Sequence, residues 1–246
     1  MTASDFLTIG LLVGLEGLLS ADNALVIAVM VLGLPKRQHR AALHYGLIGA
    51  FAFRIAATLL AVYLIKIAWV KLLGGLYLFY LSYAHFSGGQ SAEERGTPPK
   101  AKPFLGLSAF WGMVVRVELV NLAFSIDSIL VAVAVSPKLW VVLAGGVLGI
   151  VAMRLVVGRL IALIERYPAL VDGAFVIIAW VAVKLLAEYG FSAGYLGFEI
   201  PKWLSLGLIG VIFAISFLLA RRQDRRKRTK TEDAAKRLLV EEGSSS

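Results

Sequence analysis

No cysteine occurs anywhere in the 246 residues, which excludes disulfides, thiolate metal sites and cysteine nucleophiles. Histidine is almost as scarce: His39, His44 and His85 stand alone, with no His-x-x-x-His pair to hold zinc or copper. Charge is short as well. Asp, Glu, Lys and Arg make up 17% of the chain, where a soluble domain carries about a quarter. Gly-x-Ser-x-Gly, P-loop, His-Glu-x-x-His and dinucleotide fingerprints are all missing, and neither intramembrane aspartate sits in the Tyr-Asp or Gly-x-Gly-Asp setting of an intramembrane protease. No enzyme is expected. The segment Met1–Asp5 lacks the positive n-region of a cleaved signal, so the first apolar stretch is expected to stay in the mature chain.

What the chain does have is length of apolar sequence. Hydrophobic residues make up 59%, and several windows exceed the ~20 residues that cross a bilayer core. The expected fold is all-α, a polytopic membrane bundle of seven transmembrane helices near 5–33, 41–65, 68–87, 107–135, 138–163, 169–189 and 202–220. Gly33-Leu-Pro35, Ser87-Gly-Gly89, Ser136-Pro137, Tyr167-Pro168 and Ile200-Pro201 fall between them as breakers. The longest connection, 88–106, reads as a hydrophilic linker between a first three-helix unit (1–87) and a second (107–190). An outer loop and seventh helix (191–220) and a basic tail (221–246) follow.

Lysine and arginine distribution orients the bundle. Lys36, Arg37 and Arg40, then Arg95, Lys100 and Lys102, then Arg166 and the tail, lie on one side. Lys66 and Lys71, Lys138, and Lys202 beside Glu188 and Glu199 lie on the other. The basic side being cytoplasmic puts the N-terminus outside and the C-terminus inside a cell's inner membrane. The net charge of +9 is concentrated in Arg221-Arg222-Gln-Asp-Arg225-Arg226-Lys227-Arg228 directly after an apolar helix. That is a stop-transfer flank with a capacity for anionic lipid, and no nucleic-acid partner is expected.

A repeat runs through the chain. Leu19-Ser-Ala-Asp22-Asn23-Ala-Leu-Val-Ile matches Phe124-Ser-Ile-Asp127-Ser128-Ile-Leu-Val-Ala, and Gly49-Ala-Phe-Ala-Phe-Arg54 matches Gly149-Ile-Val-Ala-Met-Arg154. Three spans per unit make the two units inverted, an arrangement that places substrate sites near the midplane. Gly10-x-x-x-Gly14 with Gly17, and Gly145-x-x-x-Gly149, are the expected close-approach surfaces. Trp69, Trp111, Trp140 and Trp203 read as interfacial anchors.

Each repeat carries acids where they are costly. A charge at mid-membrane costs roughly 2.5–3.5 kcal/mol on insertion scales. At 100° per residue Glu16, Ser20 and Asn23 share a stripe, with Asp22 about 120° from Glu16; Glu118, Asn121 and Ser125 share another, with Ser128 at its edge and Asp127 off it. To reach one ion, the helices must unwind near Ser20–Asn23 and Ser125–Ser128; otherwise the off-stripe aspartates hold Arg54 and Arg154. Glu16, Asp22, Glu118 and Asp127 against Arg54 and Arg154 leave two negative charges, which one divalent cation neutralises. Carboxylate, amide and hydroxyl oxygens are hard donors that suit Mg²⁺, Ca²⁺ and Mn²⁺. His44 and His85, and Tyr77, Tyr80 and Tyr83, read as packing residues.

Glu16-Gly-Leu-Leu-Ser-Ala-Asp22-Asn23-Ala-Leu-Val-Ile resembles the first signature of the TerC family of integral membrane proteins, and Glu118-Leu-Val-Asn121-Leu-Ala-Phe-Ser-Ile-Asp127-Ser128-Ile-Leu resembles the second. The likeness covers nearly all of 5–220. It implies a seven-helix bundle of two three-helix repeats, akin to the LysE-type exporters, and Mn²⁺ efflux as transported substrate with no prosthetic group. The implied metal positions are Glu16, Asp22, Asn23, Glu118, Asn121, Asp127 and Ser128. Ser20, Ser125, Arg54 and Arg154 would support them or balance charge. Asn121 departs from the aspartate common in that family, which removes one carboxylate. Other roles consistent with the same sequence are export of Ca²⁺ or another solute, and a membrane scaffold assisting insertion or assembly of other membrane proteins. Oligomeric state is not legible.

Overall fold

The computed structural model describes residues 3–60, 69–87, 100–104 and 106–244, with backbone alone for 3, 18, 19, 21 and 225–244. Lys66 and the linker residues 88–99 lie outside that set. The described chain is helical: α1 (Ala3–Leu19), α2 (Ala21–Leu32), α3 (Lys36–Leu59), α4 (Trp69–Ser87), α5 (Ala109–Val135), α6 (Leu139–Arg166), α7 (Leu170–Ser192) and α8 (Lys202–Ser244).

Five of these, α3, α5, α6, α7 and the first half of α8, are long and apolar enough to cross a membrane. The pair α1–α2 makes a sixth if read as one span bent by 55°. The remaining expected span, 68–87, is present as helix α4, but it carries Lys71, Ser82 and His85 along its buried face. Its lower apolar content keeps it off the set that qualifies by composition. Lys36, Arg37 and Arg40, expected in a connection, form the first turns of α3. The tail continues α8 as helix to Ser244.

Burial follows hydrophobic pattern. In α2 every residue from Ala24 to Val31 is buried, apolar on all sides, and the helix runs through the middle of the bundle. Around it α1 packs on α6, α3 on α5 and α4 on α7, with α8 leaning on α7. Phe175, Ile177, Ile178, Val181 and Ala182 of α7 complete the core. Leu7, Leu155, Tyr80, Tyr83 and Trp203 point outward, as lipid-facing residues do. Trp69, Trp111, Trp140 and Trp203 sit within the first turn of their helices and are exposed, consistent with interfacial anchoring.

Small residues set the closest approaches, but not all of those expected. A methyl placed at Gly145 would lie 2.7 Å from Leu12 Cβ, and one at Gly149 would lie 2.5 Å from Glu16 Cγ. One at Gly49 would lie 2.9 Å from Glu118 Cδ. Gly10, Gly14 and Gly17, by contrast, have nothing within 4 Å of that position. The first glycine motif therefore faces away from the described neighbours, and the close contacts belong to the second motif and to α3.

These contacts are reciprocal. α3 takes up Glu118 of α5, and α6 takes up Glu16 of α1. Gly149→Ala should lower stability by about 1–3 kcal/mol, because the stem of Glu16 fills the slot. Gly14→Ala should stay within about 0.5 kcal/mol. Thermal unfolding in detergent checks the contrast, and equal effects at both positions would contradict the packing.

Candidate functional site

Four of the expected residues form one knot. Arg54 of α3 holds Glu16 of α1 with both arms: Nη1 donates to Oε1 at 3.0 Å and Nη2 to Oε2 at 2.8 Å. Nη1 also donates to Ser128 Oγ at 3.1 Å. Ser20 donates its hydroxyl to Glu16 Oε1 at 3.3 Å, and Ser128 approaches the same oxygen at 3.5 Å. The two side chains of the ion pair are 3% and 7% exposed, so a two-pronged guanidinium is what makes the burial tolerable. Gly146 permits it, since a methyl there would lie 2.6 Å from Arg54 Nε.

The aspartates lie off this knot, as their helical angles require, and they do meet cations. Those cations are lysines. Lys184 of α7 donates to Asp22 Oδ2 at 2.9 Å, and Lys71 of α4 donates to Asp127 Oδ1 at 2.6 Å. Glu188, one turn beyond Lys184, lies 3.3 Å from Lys71 Nζ and 4.0 Å from Lys184 Nζ. Asp22 also accepts from the backbone N–H of Asn23 at 3.0 Å, in the first turn of α2, where the helix dipole favours an anion.

Lys71 and Glu188 were expected in connections, and Lys184 was not singled out. All three are inside helices. Their signal was available: Lys184 and Glu188 stand four residues apart in an otherwise apolar span, and an unpaired intramembrane charge implies a partner. Including them changes the charge count. Glu16, Asp22, Glu118, Asp127 and Glu188 now face Arg54, Lys71, Arg154 and Lys184, which leaves one negative charge rather than two.

Unwinding is half realised. The chain bends at Ser20, whose φ of −106° and ψ of 10° depart from helix. Through Ser125–Ser128 the helix α5 is continuous, with Ser125 and Ser128 returning hydrogen bonds to Asn121 O and Ser125 O at 2.7 and 3.1 Å.

The site residues open into two small spaces rather than one. Asp22, Asn23, Asp127 and Ser128 line a cavity of about 30 Å³ with Lys184, Glu188 and Lys202, near the end where α7 stops and α8 starts. That is room for at least one water molecule. Glu118, Asn121 and Arg154 line a second cavity of about 40 Å³, walled by Ala42, Gly46 and Ala50 of α3 and otherwise mostly apolar. Along α3, Ala50 borders that second cavity and Arg54, one turn on, belongs to the knot; Ser128 joins the knot to the first cavity.

Four polar atoms are buried without a hydrogen-bond partner among the described residues: Asn23 Oδ1, Glu118 Oε2, Arg54 Nε and Arg154 Nη1. No group of three His, Cys, Asp or Glu side chains among them is close enough to hold a metal ion ready-made. His85 instead meets Asp172 at 2.8 Å and stacks on Phe175 with ring centroids 3.8 Å apart, a packing role as expected.

Comparison with known proteins places these residues in context. A sequence model described as "Integral membrane protein TerC family" matches residues 1–228. The chain is 45% identical over 212 residues to the Bacillus subtilis (strain 168) "Uncharacterized membrane protein YceF", covering 86% of this chain and 80% of that one. It is 40% identical over 190 residues to YkoY of the same organism, covering 71% and 57%. To "UPF0053 inner membrane protein YgdQ" of Escherichia coli (strain K12) it is 28% identical over 238 residues, covering 87% and 90%. No solved structure matches.

Lys184→Ala strands Asp22 inside the bundle and should cost about 3–5 kcal/mol, whereas Asp22→Asn with Lys184→Met removes both charges and should recover most of it. Thermal unfolding of the singles and the double as a mutant cycle measures the coupling; additive losses would show the pair to be energetically idle.

Proposed function

Because the chain belongs to the TerC family of integral membrane proteins, we propose that it is a transporter that exports divalent metal cations from the cytoplasm, with Mn²⁺ as its principal cargo. One observation carries this reading: the paired Asp22-Asn23 of the first motif and Asp127-Ser128 of the second border the same ion-sized cavity. The groups there able to ligate a metal are hard oxygens, of carboxylates, an amide and a hydroxyl, the chemistry of Mn²⁺, Mg²⁺ and Ca²⁺ rather than of copper or zinc. A buried acceptor left without a donor costs about 1–3 kcal/mol. Asn23 Oδ1 and Glu118 Oε2 bear that cost in the described arrangement, and a passing cation offsets it.

The lysines then act as tethered stand-ins for cargo. Lys184 and Lys71 neutralise Asp22 and Asp127. A doubly charged ion displaces both ammonium groups, and Glu188, already within 4.0 Å of each, receives them. Release reverses the exchange, so the empty carrier is not left with bare carboxylates.

The Glu16–Arg54–Ser128 knot divides the two cavities and is the barrier in this scheme. Two inverted three-helix repeats rocking about it would open one cavity and then the other. The reciprocal seating of Glu16 on Gly149 and Glu118 on Gly49 supports such a symmetry. With the basic side cytoplasmic, Glu118 and Asn121 meet the ion first. Asn121, where the family commonly has aspartate, still offers a carbonyl oxygen.

A scaffold role is the competing reading, favoured by the helical continuation of α8 past the apolar segment, which forms an arm. In cells lacking their own manganese exporters, Asp22→Asn and Asp127→Asn should each abolish rescue from high Mn²⁺ at unchanged membrane abundance. Full rescue by both variants would remove the carboxylates from the ligand set. Deleting 221–246 should leave rescue largely intact, whereas a docking arm would not survive the deletion. Loaded vesicles challenged with Mn²⁺, Ca²⁺ and Mg²⁺ in competition rank the cargo.

A further inference from the structure

The largest of the described cavities lies away from the carboxylates. It occupies about 370 Å³ between α2, α4, α5 and α7, within the ~300–1,000 Å³ typical of small-molecule sites. Its inner wall is apolar, built from Val29, Met30, Met113 and Phe175. Its rim is basic, carrying Lys100, Lys102 and Arg116. No aspartate or glutamate lines it, and none of the three cations forms an ion pair among the described residues.

The rim is built, not incidental. Segment 100–104 is pinned to the end of α2 by the hydrogen bond from Ala101 N–H to Gly33 O at 2.9 Å. A turn bridges Phe104 to Leu107 around Gly106, whose φ of 78° suits glycine alone. Arg116, two turns into α5, reaches back to this turn: its guanidinium lies 4.6 Å over the Phe104 ring and donates to Pro103 O at 3.5 Å. Arg116 thus directs its charge toward the segment that precedes α5.

We propose that this cleft is a binding site for one anionic phospholipid, with the phosphodiester at Lys100, Lys102 and Arg116 and an acyl chain against Met30, Met113 and Phe175. Three positive charges with no acidic partner among the described residues, set above an apolar slot, match an anionic headgroup joined to an acyl chain. The site is separate from the basic tail and independent of the transported substrate.

Native mass spectrometry of the full chain, with phosphatidylglycerol titrated against phosphatidylcholine, tests it. One phosphatidylglycerol should be retained in preference to phosphatidylcholine. Each of Lys100→Ala, Lys102→Ala and Arg116→Gln should weaken retention about fivefold, the equilibrium factor of about 1 kcal/mol per basic group. Ala84→Trp, which fills the cleft without altering charge, should also reduce retention. Arg225→Gln with Arg226→Gln in the tail should leave it unchanged. Equal retention of both lipids, or unchanged selectivity when Lys100→Ala, Lys102→Ala and Arg116→Gln are combined, would overturn the proposal. So would displacement by millimolar inorganic phosphate, which would mark an anion site without a lipid. A rise in lipid retention on Glu93→Gln with Glu94→Gln would overturn it in favour of the chain's own linker as occupant.

Discussion

A carboxylate inside an apolar bundle must meet a cation or a proton, and the arrangement of these helices follows from that requirement. Glu16 is answered by both arms of Arg54, Asp22 by Lys184, and Asp127 by Lys71. Each pair joins two different helices, so charge neutralisation and helix placement are a single problem. Net stabilisation from such pairs is small once desolvation is counted. Their effect is selective: a packing that leaves any one of these acids alone is far less stable than the one described. Only Glu118 stands without a described cationic partner, on the edge of a separate cavity.

Glycine does the complementary work. Where a carboxylate stem must pass between two helices, Gly149 and Gly49 supply the gap. The same spacing in α1 does nothing of the kind, because Gly10, Gly14 and Gly17 meet no described neighbour. Small residues four apart license a close contact but do not say which face a partner will choose. That choice is made by the acid on the opposite helix, which needs both room and a cation.

Much of this was legible before any coordinates. Apolar length placed the helices, breakers placed their ends, and the duplicated acid-amide motifs named the residues at the bundle's centre. Helical angles correctly separated Glu16 from Asp22 and Glu118 from Asp127. The span expected at 68–87 is helix α4, but Lys71, Ser82 and His85 on its buried face give it less apolar content than the other spans, and what hydropathy could not show was that this face packs on α7. Lys71 and Glu188 were read as charges of the connections, and Lys184 was passed over. A lysine near the end of an apolar run looks like a flank until the acid it serves, some 56 to 162 positions away, is known to face it.

That separation along the chain has a consequence for biogenesis. Glu16 and Arg54 emerge from the ribosome within 38 residues of each other, so the first pair can close as soon as α3 is inserted. Asp22 has no such early companion: Lys184 is synthesised 162 residues later. Throughout that interval the nascent first half carries a carboxyl group without the lysine that answers it in the folded chain. It must remain protonated, shelter in the insertion machinery, or sit near the surface until α7 arrives, which makes late assembly of α7 the step that commits the protein to its final form.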